Sequence, residues 1–452
     1  MSGSELLKLV TNSSNIYSLI VYVFSYLQSE KAQIIHKKYR LALKDTPTHE
    51  LNAIDSLISE LLIINQYEYK DWVEVWKEEF KNTKLDSAVF CYIFLLKIDE
   101  KICELKNGNN VIDEIGPLND DDEYYFYFKP ISSFFLEKFI NEKIRKGRQT
   151  VEYDINSINY DFKNFEVIKN TKLNDYLPVV CKYKNKFSFG NNIHIGFASV
   201  SKDNWFEEEY NHTTKEITVM YDTGSSEKYN MQICKFLKTF DEMGIDIAVF
   251  PELAMNYTTE QDVSKFILNT NFNNLKFIFL GSTWNNNINE AVLINSQGSV
   301  LLREQKNVPY KKYNKSEKCY YTEAILTNNT INFIDIDGLG RFSYLICADF
   351  NDLCLGSICS IMHTDFVFVS AFSNSTNSML KTAKSNAELR GCATIMCNSC
   401  AAYNNDDDAL SSFIVVPDVC EKQLIQNTIH EHKSCFGKAN CELCVKKSTI
   451  NK

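Results

Sequence analysis

The fold of this chain is best understood from the stretch Arg341-Phe-Ser-Tyr-Leu-Ile-Cys347-Ala-Asp349-Phe-Asn351. It begins with an apolar, aromatic run that ends in a cysteine, Cys347. The run predicts a β-strand that carries Cys347 to its end, where small and acidic residues follow. A strand end fixes a side chain on a rigid sheet, while the loop beyond it leaves space for a substrate. Cys347 is therefore a candidate nucleophile, because the thiolate is strongly nucleophilic near neutral pH.

Two earlier strand-like runs end in charged residues. Ile245-Asp-Ile-Ala-Val-Phe-Pro-Glu252 ends in a carboxylate, and Leu301-Leu-Arg-Glu-Gln-Lys306 ends in an ammonium. Each residue alone has an ordinary structural explanation, since the chain has 15 cysteines and other lysines lie near Lys306. Together, in this order and each at a strand end, the three side chains favour covalent acyl chemistry.

The chain changes character near residues 150 and 190. Residues 1–150 show helical spacing of apolar residues, for example over 51–62, 72–80, 88–98 and 134–140, and predict an all-α accessory domain. Residues 151–190 lack a clear period and are interpreted as a linker that packs on the catalytic domain. Strands alternate with helices over residues 191–420, which predicts an α/β domain. Residues 421–452 form a basic tail.

Composition limits the classes of protein. A formal net charge of −10 argues against a general nucleic-acid or membrane-surface protein, so nucleic acid is expected only through a partner. The most apolar N-terminal segment, Ile16 to Leu27, is too short to cross a bilayer and has no cleavage site after it. We therefore expect a cytoplasmic protein with reduced thiols.

Four motifs of the predicted α/β domain resemble the nitrilase superfamily, the carbon–nitrogen hydrolases. They are Phe250-Pro-Glu252, Arg303-Glu-Gln-Lys306, Ile346-Cys-Ala-Asp349 and Val415-Val-Pro-Asp418. The resemblance covers about residues 190–420 and implies an αββα sandwich, with two facing sheets between outer layers of helices. The aromatic and proline residues that follow the family's nucleophile are missing here, and Ala387-Glu-Leu-Arg-Gly391 replaces its Arg-Ala-x-Glu-Asn. Substrate specificity is therefore not carried over.

The resemblance implies a role for each site residue. Glu252 would be the general base, Cys347 the nucleophile, and Lys306 with the backbone N–H of Ala348 the oxyanion donors. Many members have a second glutamate soon after the lysine. Glu317 is the first choice for that role and Glu323 the second.

The implied activity is hydrolysis of a non-peptide C–N bond in a small-molecule amide or nitrile, without a cofactor. Two alternatives stay open. An acyltransferase would use the same thioester, and an assembly protein would keep the fold with weak or absent catalysis. Similar domains occur in bacterial antiviral systems, and the helical domain is expected to mediate a homo-oligomer or to bind a partner protein.

A second group of candidate residues lies in the tail. His430, His432, Cys435, Cys441 and Cys444 include a Cys-x-x-Cys pair and would supply four ligands to a structural zinc. The spacing follows no common zinc finger, and a disordered tail with reduced cysteines explains it equally well.

Overall fold

The structure is a computed structural model that describes a defined part of the chain. Described are residues 3–11, 15–28, 47–64, 70–101, 112–115, 124–130, 162, 164–173, 175–184, 187–189, 192–199, 206–221, 224, 226–374, 376–399, 402, 412–417, 425–428 and 445–451. The chain divides into two compact units, Met1–Ile131 with Asp154–Asp175 and Ser132–Tyr153 with Tyr176–Lys452.

The N-terminal unit contains helices at three of the four predicted positions, 51–62, 72–80 and 88–98, and a small two-stranded sheet. Its elements are α1 (Gly3–Val10), α2 (Ile16–Leu27), α3 (Thr48–Ile64), α4 (Lys70–Asn82), α5 (Ser87–Lys101), β1 (Ile112–Ile115), β2 (Tyr124–Phe128) and β3 (Phe165–Lys169). The ring of Trp76 is fully buried and stacks on Phe80, with Phe90 and Phe94 packed edge-on. Burial of such aromatic side chains is a large apolar contribution to this core.

The second unit is built from strands, with four helices among its described residues. In chain order its strands are β4 (Leu177–Tyr183), β5 (Asn192–Ala198), β6 (Phe206–Asn211), β7 (Glu216–Tyr221), β8 (Ile247–Val249), β9 (Phe277–Asn285), β10 (Ile288–Asn295), β11 (Val300–Gln305), β12 (Lys311–Asn314), β13 (Cys319–Glu323), β14 (Thr330–Ile336), β15 (Gly340–Ile346), β16 (Phe366–Ala371), β17 (Ala393–Asn398), β18 (Ser412–Val416), β19 (Ile425–Thr428) and β20 (Val445–Asn451). The helices are α6 (Ser226–Glu242), α7 (Thr259–Leu268), α8 (Leu353–Ile361) and α9 (Asn377–Ser385).

Two large sheets of this unit face each other. One has the strand order β11-β10-β9-β8-β5-β20, and the other contains β4-β14-β15-β16-β17-β18-β19. Phe279 of the first sheet stacks on Phe368 of the second, with ring centroids 3.7 Å apart. Strands β15 and β16 are buried throughout, as expected for parallel neighbours covered on both faces.

Helices cover the outer faces of both sheets. Phe240 of α6 and Val263 of α7 share one core with Ala248 and Ile278 of the first sheet. Cys359 of α8 contacts Ser343 of the second. The arrangement is helix, sheet, sheet, helix, which is the predicted α/β sandwich with two facing sheets between outer helices.

A third sheet, with the order β12-β13-β7-β6, adds two hairpins to the sandwich. The sequence did not indicate it, because the β6 segment Phe-Glu-Glu-Glu-Tyr-Asn has the charge density of a loop. Each hairpin follows a strand of the first sheet, β5 or β11. Both therefore lie beyond strand ends, where functional groups gather.

Three sequence-based expectations about domain organisation either differ from the structure or lie outside the residues that it describes. The stretch 151–190, interpreted as a linker, contributes β3 to the N-terminal unit and β4 to the second unit. The N-terminal unit is not purely helical, since β2 pairs with β3. The helix predicted over 134–140 lies outside the described residues. None of the described helices combines the length and apolar composition needed to cross a membrane.

Candidate active site

Cys347 lies at a sharp turn between β15 and a short 3₁₀ helix. Its φ angle is 47°, a left-handed conformation that is uncommon for a residue other than glycine. Such strain, of order 1–3 kcal/mol, persists only where neighbouring structure enforces it, and it is frequent at active sites. Asp349 provides that enforcement, because its Oδ2 accepts a hydrogen bond from the N–H of Ile346 on the strand side of the turn.

The same carboxylate holds the lysine loop. Oδ1 of Asp349 accepts the N–H groups of Asn307 at 3.0 Å and Val308 at 2.7 Å. Burial raises the pKa of Asp349 to about 7, although the Lys306 ammonium and these N–H donors act against the rise. One fully buried carboxylate thus ties the segment after Lys306 to the turn that presents Cys347.

Glu252 follows β8 in a similarly constrained segment. The next residue, Leu253, has φ 58°, and its N–H donates to Ser282 Oγ at 3.1 Å. Gly281 permits this close approach, since a Cβ there would lie 2.2 Å from the carbonyl oxygen of Pro251. The chain path therefore fixes the direction of the Glu252 side chain.

A buried charge cluster forms around Lys306. Lys306 Nζ lies 2.9 Å from Glu252 Oε1 and 2.7 Å from Glu323 Oε2. Glu252 Oε1 also accepts from Asn289 Nδ2 at 2.9 Å, and its Oε2 accepts from the backbone N–H of Phe372 at 3.0 Å. These three donors occupy three of the roughly four acceptor positions of the carboxylate. The Cys347 thiol itself donates to the carbonyl oxygen of Phe372, with Sγ and O 3.9 Å apart.

The cluster controls the protonation of its members. Burial, reinforced by the Glu252 charge, raises the pKa of Cys347 well above its usual value, although Lys306 opposes the rise. Burial would lower the pKa of Lys306, but the Glu252 and Glu323 carboxylates raise it well above its usual value. Cys347 is therefore a thiol at neutral pH beside a stable ammonium, and its reaction requires a base.

A cavity of about 610 Å³ opens onto this cluster. Glu252, Lys306, Glu323 and Cys347 line it, together with further residues of the third sheet. Its volume lies in the range of small-molecule sites.

The structure brings together three of the predicted residues, Glu252, Lys306 and Cys347. Ala348, the predicted backbone donor, follows Cys347 in the first turn of the 3₁₀ helix, where an N–H group has no acceptor within the helix. It can therefore donate to a substrate oxygen.

Glu317, the first choice for the second glutamate, does not lie in the cluster. It contacts His212 at 2.8 Å, Lys215 at 2.7 Å and Tyr321 at 2.8 Å on the surface. Glu323, the second choice, takes the position beside Lys306 because it ends strand β13. The preference between the two glutamates is thus reversed by the geometry.

Two contributors were not identified from sequence. Asn289 is one of many asparagines in the chain, and no pattern marks it. Asp349 was noticed in its motif, but nothing in the sequence indicates that it reaches the loop after Lys306. The proposed zinc ligands His430, His432, Cys435, Cys441 and Cys444 lie outside the described residues, so that site stays a prediction.

Comparisons with known proteins bear on the fold. Neither protein-family models nor curated proteins match the chain. Among solved structures, it resembles Nit3 of Saccharomyces cerevisiae, a member of branch 10 of the nitrilase superfamily, with 14% identity over 50% of this chain and 83% of that chain, at a TM-score of 0.35. An amidase from Nesterenkonia sp. AN1 matches with 13% identity over 50% of this chain and 86% of its own, at a TM-score of 0.36. The glutamine-dependent NAD+ synthetase of Acinetobacter baumannii matches with 13% identity over 58% of this chain and 46% of its own, at 0.39.

These identities concern the fold alone. The first two of these matches cover half of the chain.

Proposed function

We propose that this protein is a carbon–nitrogen hydrolase that cleaves a small-molecule amide through an acyl-enzyme on Cys347. The observation that carries the proposal is the convergence of Cys347, Glu252, Lys306 and Glu323 on one cavity. Buried charges cost several kcal/mol each in desolvation, so an arrangement of this kind is difficult to explain by stability alone.

Glu252 is suited to be the base. Its carboxylate is held by Lys306, Asn289 and Phe372, and it raises the pKa of the nearby Cys347 thiol. The thiol must lose its proton during attack, and a positioned carboxylate that accepts this proton contributes roughly 10²–10⁴-fold in rate.

Lys306 is suited to stabilise the oxyanion. Its ammonium has three protons and donates to Glu252 and Glu323, which leaves one for a substrate oxygen. The Ala348 N–H would provide a second donor. Donors fixed in advance of the reaction stabilise the developing charge without reorganisation.

The reaction then has two balanced halves. The sulfur of Cys347 attacks the amide carbon as its proton passes to Glu252, and the tetrahedral intermediate expels the amine, which takes that proton. Water loses a proton to Glu252 and attacks the thioester, and the acid product leaves as sulfur regains the proton. Glu323 shares Lys306 with Glu252 and keeps the ammonium in place.

The test combines turnover with trapping of the intermediate. A panel of short primary amides is assayed for ammonia release, and the rapidly quenched protein is digested and weighed to find the acylated peptide. We expect acylation on Cys347 and loss of turnover in Cys347→Ala. Cys354→Ala is the matched control, because that thiol lies on α8 and does not line the cavity.

Turnover that survives in Cys347→Ala would overturn the proposal. Hydroxylamine added as a second acceptor measures the partition of the thioester between water and an amine. A product that is entirely hydroxamate at low acceptor concentration would reassign the chemistry to acyl transfer.

A further inference from the structure

The third sheet forms a wall of the cavity and also supplies a member of the charge cluster. Phe206, Glu208 and Tyr210 alternate along β6 and line the cavity, and Lys312 on β12 does so too. Glu323, which ends β13 in this sheet, contacts Lys306. Because one sheet carries both groups, the wall is fixed in position relative to the reacting thiol.

Glu208, Tyr210 and Lys312 form a hydrogen-bonded cluster that contains the positive charge of the lysine. Lys312 Nζ donates to Glu208 Oε2 at 2.5 Å and to Tyr210 Oη at 2.6 Å, and it lies 5.4 Å from the centroid of the Tyr210 ring. The Tyr210 hydroxyl donates to the same Glu208 oxygen at 2.5 Å. A carboxylate next to an aromatic face is the chemistry by which proteins bind organic cations.

The cation at this position belongs to a displaceable side chain. Lys312 is 42% exposed, and a lysine side chain has a flexible four-carbon stem that can turn toward solvent when its partners are taken by another cation. Burial alone would lower the pKa of Lys312, but the hydrogen bonds with Glu208 and Tyr210 raise it. The position therefore favours a positive charge, without requiring that the charge come from Lys312.

The cavity as a whole carries more negative than positive groups. Four carboxylate residues line it, against two lysines: Glu207, Glu208, Glu252 and Glu323 face Lys306 and Lys312. A cleft with an excess of one charge raises the local concentration of oppositely charged ligands. A substrate with a carboxylate would meet net repulsion here, and one with an ammonium would meet attraction.

We propose that the Glu208–Tyr210–Lys312 cluster determines specificity and selects amides whose non-reacting part carries an ammonium or guanidinium group. That group takes the position of the Lys312 ammonium beside Glu208 and the Tyr210 ring. The inference rests on the proposed function, since it treats Cys347 as the reacting thiol and the cavity as the substrate site.

The test uses reagents of similar size and opposite charge, 2-aminoethyl and 2-sulfonatoethyl methanethiosulfonate. The Cys347 sulfur, deprotonated by base, attacks the sulfenyl sulfur, a disulfide forms, and methanesulfinate leaves. Rates at Cys347 are read by peptide mass and divided by the rates with N-acetylcysteine. We expect the cationic reagent to react at least tenfold faster than the anionic one.

Two substitutions should move this ratio in opposite directions. Glu208→Gln should lower it at least threefold, and Lys312→Met should raise it at least threefold. The matched controls are Glu209→Gln and Lys311→Met, which remove the same charges at adjacent exposed positions that do not line the cavity. The controls should leave the ratio within twofold of the wild-type value.

The neutral methyl methanethiosulfonate separates the two proposals. If it fails to label Cys347 in the wild type, the proposed function is wrong. If it labels Cys347 at equal rates in all variants, the site is intact in each. The ratio of cationic to anionic labelling rates then tests specificity alone. If Glu208→Gln and Lys312→Met change this ratio no more than their controls do, the specificity proposal is wrong.

Discussion

Two glutamate–lysine pairs in this chain have the same contact distance but differ in burial and in the pKa of the glutamate. Glu323 lies 2.7 Å from Lys306, and Glu317 lies 2.7 Å from Lys215. The Lys306 side chain is 1% exposed, whereas that of Lys215 is 40% exposed. The pKa of Glu323 is raised, while that of Glu317 is lowered to about 2.

The opposite directions have a simple cause. Burial is the largest influence on Glu323 and disfavours its charge, and the second carboxylate, Glu252, adds to that effect. Glu317 remains at the surface, where hydrogen bonds from Lys215, Tyr321 and His212 favour its charged form. The same residue types therefore form a poised site in one place and an ordinary surface pair in the other.

The largest expected effect comes from removal of the buried lysine. Lys306→Met should lower turnover by roughly 10²–10³-fold, because an oxyanion donor is lost. It should also reduce the free energy of unfolding by about 3–5 kcal/mol, because two buried carboxylates lose their counter-charge. Lys215→Met, the surface counterpart, should leave both quantities nearly unchanged. Amide turnover and urea denaturation measure the two effects, and equal losses in both variants would contradict the comparison.

The site and the surface should also respond to pH in opposite directions. The pKa of Asp349 is about 7 in the folded protein, above the unfolded value of about 3.9, so the folded state retains this proton between these values. Its contribution to stability is largest below pH 4 and falls as pH rises to 7, by an amount on the order of 4 kcal/mol. The stabilising contribution of Glu317 is present above its unfolded pKa and is lost as pH falls toward 2.

Urea denaturation of Asp349→Asn at several pH values isolates the first effect. The variant should be less stable at each pH, because an Asn amide cannot accept from Ile346 and from the lysine loop at once. Its stability should lack the decline between pH 4 and 7 that Asp349 contributes. A decline of the same size in wild type and variant would mean that Asp349 does not titrate in this window.

The two glutamates themselves give a smaller and more direct contrast. Glu323→Gln should lower turnover by roughly 10–100-fold, equivalent to about 1.4–2.8 kcal/mol, since Lys306 loses one of the two carboxylates that hold it. Glu317→Gln should keep full turnover. Activity assays on the two variants decide between the glutamates, and a greater loss in Glu317→Gln would restore the sequence-based preference.

The sequence pointed to Glu252, Lys306 and Cys347 because each follows an apolar run, and the structure places all three on one cavity. The same rule applies to Glu323, which ends β13, but that strand of five residues is too short and polar to stand out. Glu317 precedes the strand and was preferred on spacing alone. Long-range contacts, such as the bond from Asp349 to the lysine loop, leave no periodic signal in a sequence.

The same limit explains the parts of the fold that were missed. Half of the residues of strand β6 are glutamates, and its identity as a strand comes from pairing with β7 rather than from its composition. Tertiary context overrides weak local preference in such segments. The helices around Ile58 and Phe94 were predicted because their apolar residues are numerous and regular.

The smallest expected effect is the coupling within the surface pair, and it tests the comparison most closely. A double-mutant cycle with Lys215→Met and Glu317→Gln should give a weak interaction energy. Fixing two exposed side chains costs rotamer entropy, and the surrounding water weakens their attraction. The energy should vanish in 1 M salt, where the Debye length is about 3 Å. The parallel cycle with Lys306→Met and Glu323→Gln should give a larger value that salt changes less, because these side chains are only 1% and 13% exposed. Equal salt dependence in the two cycles would show that burial is not what separates the two pairs.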